Sequence, residues 1–216
     1  MPTSRYDPSD TLVPETPDGY RRADDFRYSL LLLFGMAVVV IPVSIALFGS
    51  VLWYAQGPEA LATVFQFEET PTSVSFTIES STVGVAILGA IFGVTVLHEL
   101  VHGAVYGLRG YDVSYGIAPN VGAVYAAAFH QFQRRDDNLL VGIAPLVVLD
   151  LLLLPVLFVP VPLVAFGAFV ALLINTVGAV GDIYLIARLL RMPAGTLLYD
   201  SNIRQSFVFV PKNGSS

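Results

Sequence analysis

The sequence predicts an all-α polytopic membrane protein, with four transmembrane helices and a short β-hairpin or re-entrant loop between helices 2 and 3. Three observations carry that expectation. Hydrophobic residues make up 55% of the 216-residue chain and charged residues only 13%, about half the share with which a soluble domain covers itself. Mean hydropathy is +0.69. Four apolar runs reach the ~20 residues that a helix needs to cross a bilayer.

The first run covers Tyr28 to Trp53. It is longer than the roughly 7–15 apolar residues of a signal peptide and has a polar segment ahead of it, so it reads as a retained anchor. The second runs from Val83 to Leu108, the third from Leu139 to Val159 and the fourth from Val161 to Leu190. Pro160 and Pro162 divide the last two into a tight helical hairpin, and the fourth is long enough to tilt or to break near Gly178 and Gly181. This divides the chain into an N-terminal tail (1–27), a membrane core (28–190) and a C-terminal tail (191–216).

Orientation follows from the basic residues. Arg5, Arg21, Arg22 and Arg27 precede the first run; Arg109, Arg134 and Arg135 lie between the second and third; Arg188, Arg191, Arg204 and Lys212 lie at or beyond the end of the fourth. These are all 11 Lys and Arg. The positive-inside rule therefore puts both termini and the 109–138 loop in the cytoplasm of a multi-pass cell-membrane protein. The opposite loop, 54–82, carries glutamates and no base, and its "SVSFTIES" alternates like a strand. The 109–138 loop alternates around Tyr111, Val113 and Tyr115 and turns at "APNVG". The cluster Arg134, Arg135, Asp136 and Asp137 reads as solvated loop at the membrane face. A net charge of −6 and a pI near 4.9 exclude a nucleic-acid partner. The absence of cysteine excludes disulfides and thiolate ligands.

The second run contains "HELVH", placing His98, Glu99 and His102 where lipid-facing helix carries few such groups. An ionisable side chain at mid-membrane costs about 2.5–3.5 kcal/mol on insertion scales, and three within five residues call for a common partner. Positions i and i+4 share a helix face, so His98 and His102 can hold one metal ion. Glu99, about 100° round the helix, can reach a water on it as general base. "GAIFG" (Gly89 to Gly93) and "GAVYG" (Gly103 to Gly107) on the same helix read as helix-packing surfaces.

A catalytic zinc takes three protein ligands. No glutamate follows Glu99 in the chain, and Val105 and Leu108 stand where a metzincin extension needs Gly and His. The remaining histidine is His130 in the 109–138 loop, and the acids within apolar runs are Asp150 and Asp182. Both acids match the depth of the histidines. Context favours Asp182, which lies among Asn175, Gly178 and Gly181, whereas Asp150 reads as a partner for a histidine N–H or a protonated acid in a helix contact.

On these residues the chain resembles intramembrane zinc metalloproteases of the site-2 protease type, which carry HExxH in one transmembrane helix and an aspartate ligand in a later one. It resembles more closely a family of zincin peptidases with an HExxHG helix, a third span containing an Ala-Pro-Leu element (Ala144, Pro145, Leu146) and an N-x-x-G-x-x-G-D element (Asn175 to Asp182). The resemblance implies one zinc ion per chain on His98, His102 and Asp182. Glu99 would be the base, and Asn175 would steady the site or hydrogen-bond the oxyanion. It also implies hydrolysis of peptide bonds in membrane-associated substrates near the cytoplasmic face, with lipid and a peptide or transmembrane protein as partners. A non-catalytic metal-binding membrane protein is the alternative. The site-2 prolines are absent, and Ile183 follows the aspartate in place of glycine.

Overall fold

The computed structural model describes residues 13–62, 64–70, 73–78, 80–118, 123–203 and 205–212. The helices arise where the apolar runs predict them. α1 spans Leu30–Leu61, α2 Ser80–Leu108, α3 Arg135–Leu153, α4 Pro162–Gly178 and α5 Val180–Leu189. Four stretches, Leu30–Leu61, Val83–Leu108, Arg135–Phe158 and Pro162–Leu189, are long and apolar enough to cross a membrane. Leu30 and Leu31 are 80% and 81% exposed, and Phe34, Phe92 and Leu151 also face outward. So much outward apolar surface suits lipid and not water.

Local chemistry sets the ends and breaks. Gly57 takes a left-handed φ of 75° just before Pro58 and interrupts α1 near its C-terminus, because only glycine enters that region without a Cβ penalty. α3 gives way at Pro155 to a 3-10 turn, Leu154–Phe158. Gln56 Nε2 donates to the carbonyls of Leu157 (2.6 Å) and Val159 (3.0 Å), satisfying acceptors that helix ends leave open. The fourth run does break, at Ala179, whose N–H closes α4 on the Asn175 carbonyl.

The chain is not all-α. A four-stranded antiparallel sheet has the order β1-β8-β7-β6, built from Asp24–Phe26 (β1), Phe132–Arg134 (β6), Leu197–Asn202 (β7) and Gln205–Phe209 (β8). Segments 1–27 and 191–216, expected as tails, thus supply three of its strands. β1 and β6 have three residues each, too few for any periodic signal, and β1 pairs with β8 from the other end of the chain. β2 (Phe65–Thr70) pairs with β3 (Ser73–Ile78), in the segment whose alternation predicts a strand. β4 (Ser114–Ala118) pairs with β5 (Ala123–Ala127), forming the expected hairpin; of its "APNVG" turn, residues 119–122 lie outside the described residues.

The chain divides into two compact units. One comprises 1–33, 99–145 and 181–216, the other 34–98 and 146–180. The first holds the four-stranded sheet and the β4–β5 hairpin, with Tyr199, Phe207 and Phe209 packed against Tyr20 and Leu197. The second is helical apart from β2 and β3, and packs Phe48, Leu52, Leu157, Phe166 and Leu172 together.

The acidic–basic cluster is not solvated loop. Arg134 ends β6 and Arg135 opens α3. Asp137 is buried and pairs with Arg109, while its Oδ2 accepts from Tyr111 at 2.7 Å. Arg135 Nε donates to the Leu189 carbonyl at 2.8 Å, capping α5. The glycine pairs also differ from expectation. Gly89, Gly93 and Gly107 have open space where a Cβ would stand, whereas a Cβ on Gly103 would overlap the Tyr115 ring of β4. Gly103 therefore admits the hairpin, not a neighbouring helix.

Candidate metal centre

His98, Glu99 and His102 lie in the C-terminal half of α2, and their ligand atoms fall within 4.8 Å of one another. Both histidines are buried, at 9% and 8% exposure. Each is held through Nδ1. His98 Nδ1 is 2.9 Å from Asn175 Oδ1, and Asn175 Nδ2 donates to Asp150 Oδ1 at 2.9 Å. A carboxylate only accepts, so the Asn175 NH2 must face Asp150 and its carbonyl must face His98. Thr176 Oγ1 donates to the other Asp150 oxygen at 3.4 Å. The Asp150–Asn175–His98 chain assigns the His98 proton to Nδ1.

His102 Nδ1 is 2.9 Å from the backbone carbonyl of Val141, again an acceptor only, so this ring too carries its proton on Nδ1. Within a helix the Val141 carbonyl would accept from the N–H four residues on. That residue is Pro145, which has no N–H and pushes the helix ladder open at this point. The proline thereby makes a backbone acceptor available to a neighbouring element. Gly142 lets α5 come close: a Cβ there would lie 3.3 Å from Ile186 and 3.8 Å from the Asp182 carbonyl.

With the protons on Nδ1, both Nε2 atoms carry lone pairs. His102 Nε2 lies 3.5 Å from Asp182 Oδ1. At that separation a proton on the imidazole or a cation between the two atoms offsets the repulsion between a lone pair and a carboxylate oxygen. Two donors at about 2.0–2.1 Å from one tetrahedral zinc are about 3.4 Å apart, so this spacing and donor set fit zinc. A histidine held through Nδ1 by a carbonyl is the usual outer arrangement of a metal-binding imidazole.

Glu99 Oε2 accepts from the Ala126 N–H of β5 at 2.8 Å, so the hairpin orients the carboxylate. Glu99, His102 and Asp182 line a cavity of about 320 Å³ with Tyr28, Phe129 and Asp200 among its walls. His130 stands elsewhere in the same unit, with Nδ1 3.5 Å from the Tyr199 hydroxyl and its ring against Phe129. The residues that sequence reasoning missed act through the backbone. They are the Val141 carbonyl and the Ala126 N–H, and of these only the first has a sequence signal, the proline four residues later.

Residues 91–197 match the sequence profile of the family described as "Putative zincin peptidase". Over that segment the chain is similar to this family. The matched stretch runs from the motif helix through the hairpin, α3, α4 and α5 to the first residue of β7. Zinc and peptide hydrolysis are what the family description carries with it, and the His-Glu-x-x-His arrangement of α2 accords with both. No curated protein and no solved structure matches the chain.

Proposed function

We propose that this chain is a membrane-embedded zinc endopeptidase that binds one zinc ion per chain on His98, His102 and Asp182 and cuts membrane-associated polypeptides near the cytoplasmic face. The observation that carries the proposal is the 3.5 Å approach of His102 Nε2 to Asp182 Oδ1, combined with Nδ1 tethers on both histidines. Zinc held by these residues would supply Lewis-acid chemistry, lowering the pKa of water and polarising a carbonyl. Glu99, held by the Ala126 N–H, accepts the proton of the attacking water and returns it to the leaving amine. Val141 and Asn175 fix the two imidazoles in the ligating tautomer. Both ends of the Asn175 amide are engaged in that task, which favours a positioning role over contact with the oxyanion. The distribution of the 11 basic residues supports cytoplasmic termini.

The test is metal content of detergent-purified protein, with catalysis scored on transmembrane peptides. About one zinc per chain is expected, retained in Glu99→Gln and lost in His98→Ala and Asp182→Asn. Glu99→Gln should keep zinc and lose hydrolysis. Zinc with wild-type turnover in Glu99→Gln would refute the mechanism, and a metal-binding chain with no hydrolysis of any membrane substrate would favour a non-catalytic metal protein.

A further inference from the structure

The cavity that holds Glu99, His102 and Asp182 extends to a third carboxylate, Asp200. Asp200 lies on β7 beside the register shift between Asp200 and Asn202, an irregularity of the kind that re-aims side chains. Its Oδ1 accepts from Ser206 Oγ at 2.5 Å and its Oδ2 from Gln133 Nε2 at 2.8 Å. Gln133 is itself fully buried and fixed by the Ala128 carbonyl at 2.9 Å. The carboxylate is therefore held in one orientation by two neutral donors. No lysine or arginine appears among the described residues of the cavity wall. That wall instead combines aromatic and apolar residues, Phe26, Tyr28, Phe129 and Leu198 among them, with the neutral polar groups of Asn138, Asn202 and Ser206.

A partly buried carboxylate held by neutral groups alone is costly. Burial pushes the Asp200 carboxyl up and, with the nearby Asp200 and Asp182 charges adding to it, pushes the Tyr28 phenol up as well. A cation entering the cavity would relieve that cost, and aromatic faces beside it favour a cation with an apolar stem. The volume, at the lower end for ligand pockets, suits one extended side chain and the peptide that bears it.

We infer that Asp200 is the specificity determinant of this cavity and selects peptides with a lysine or arginine next to the scissile bond. The inference rests on the zinc peptidase reading above. It agrees with the chemistry of that membrane face, since Lys and Arg concentrate at the cytoplasmic flanks of transmembrane segments.

The test uses zinc-loaded full-length protein and dipeptide hydroxamates carrying either lysine or norleucine at each position, so that stem length is matched and only the ammonium differs. Binding is read by titration calorimetry, without turnover. The lysine compounds should bind more tightly by on the order of 10–100-fold, and Asp200→Asn should abolish that preference while leaving norleucine binding within about twofold. Asp200→Glu, which keeps the charge, should retain part of the preference. If zinc is bound and both compounds bind equally, or norleucine binds better, the inference fails and the zinc reading stands. If the chain takes up no zinc, the peptidase reading fails and takes the inference with it. The wild-type comparison decides the matter even if Asp200→Asn does not fold.

Discussion

Replacing Pro145 by alanine tests whether a helix-breaking residue organises the metal centre. The substitution restores an N–H four residues after Val141 and removes the ring that opens the α3 ladder. The Val141 carbonyl, now 2.9 Å from His102 Nδ1, would turn back towards the helix axis. It has two lone pairs, so the two donors can share it only if its tilt is kept. If the tilt is lost, the buried imidazole N–H is left without its acceptor, at a cost of about 1–3 kcal/mol. At about 1.4 kcal/mol per decade that is a 5- to 150-fold loss of zinc affinity, in line with the roughly 10–100-fold typical of outer-shell changes. The helix itself should not suffer, because alanine is favoured over proline in a helix interior by about 3 kcal/mol. Chelator competition on detergent-purified protein, beside thermal unfolding of the metal-free form, separates the two effects. The expected result is weaker zinc binding with equal or higher metal-free stability. Zinc binding within twofold of wild type would refute the role given to Pro145.

Three further outcomes follow from the geometry. Asn175→Ala should lower zinc affinity by about 10–100-fold by releasing His98, measured in the same chelator competition. Gly103→Ala should force the Tyr115 ring off α2 at about 1–3 kcal/mol, lowering the melting temperature, and Tyr115→Ala in the same chain should restore it. Asp200 has a carboxyl raised by burial above its ordinary value of 3.8, so the sign of its pH dependence is fixed. Its contribution to stability is full below the ordinary carboxylate range and is lost as pH rises through the raised folded value. Thermal unfolding of the metal-free protein should therefore show Asp200→Asn gaining on wild type between pH 4 and pH 8, and a constant difference across that range would contradict the raised value.

The four helices long and apolar enough to cross a membrane were legible because they depend on local composition. Any run as apolar as 28–53 or 161–190 must be a helix in lipid, since no other open backbone satisfies its own hydrogen bonds there. The pairing of His98 with His102, and the approach of Glu99, follow from the pitch of one helix. The four-stranded sheet was not legible. Its strands are short, and β1 and β8 meet from opposite ends of the chain. Pairing of that kind leaves no periodic trace in either segment. The same distinction runs through the site. HELVH points to a metal, and the polar pair of Asn175 and Asp182 in one apolar run points to a partner for it. Depth alone leaves Asp150 and Asp182 equivalent. Tertiary packing gives them different neighbours, Asp182 at His102 Nε2 and Asp150 behind Asn175. Side-chain identity is written in the sequence. Which carbonyl a proline exposes, which glycine admits a hairpin and which carboxylate a strand turns into a cavity depend on atoms distant in sequence, and only the folded chain brings those together.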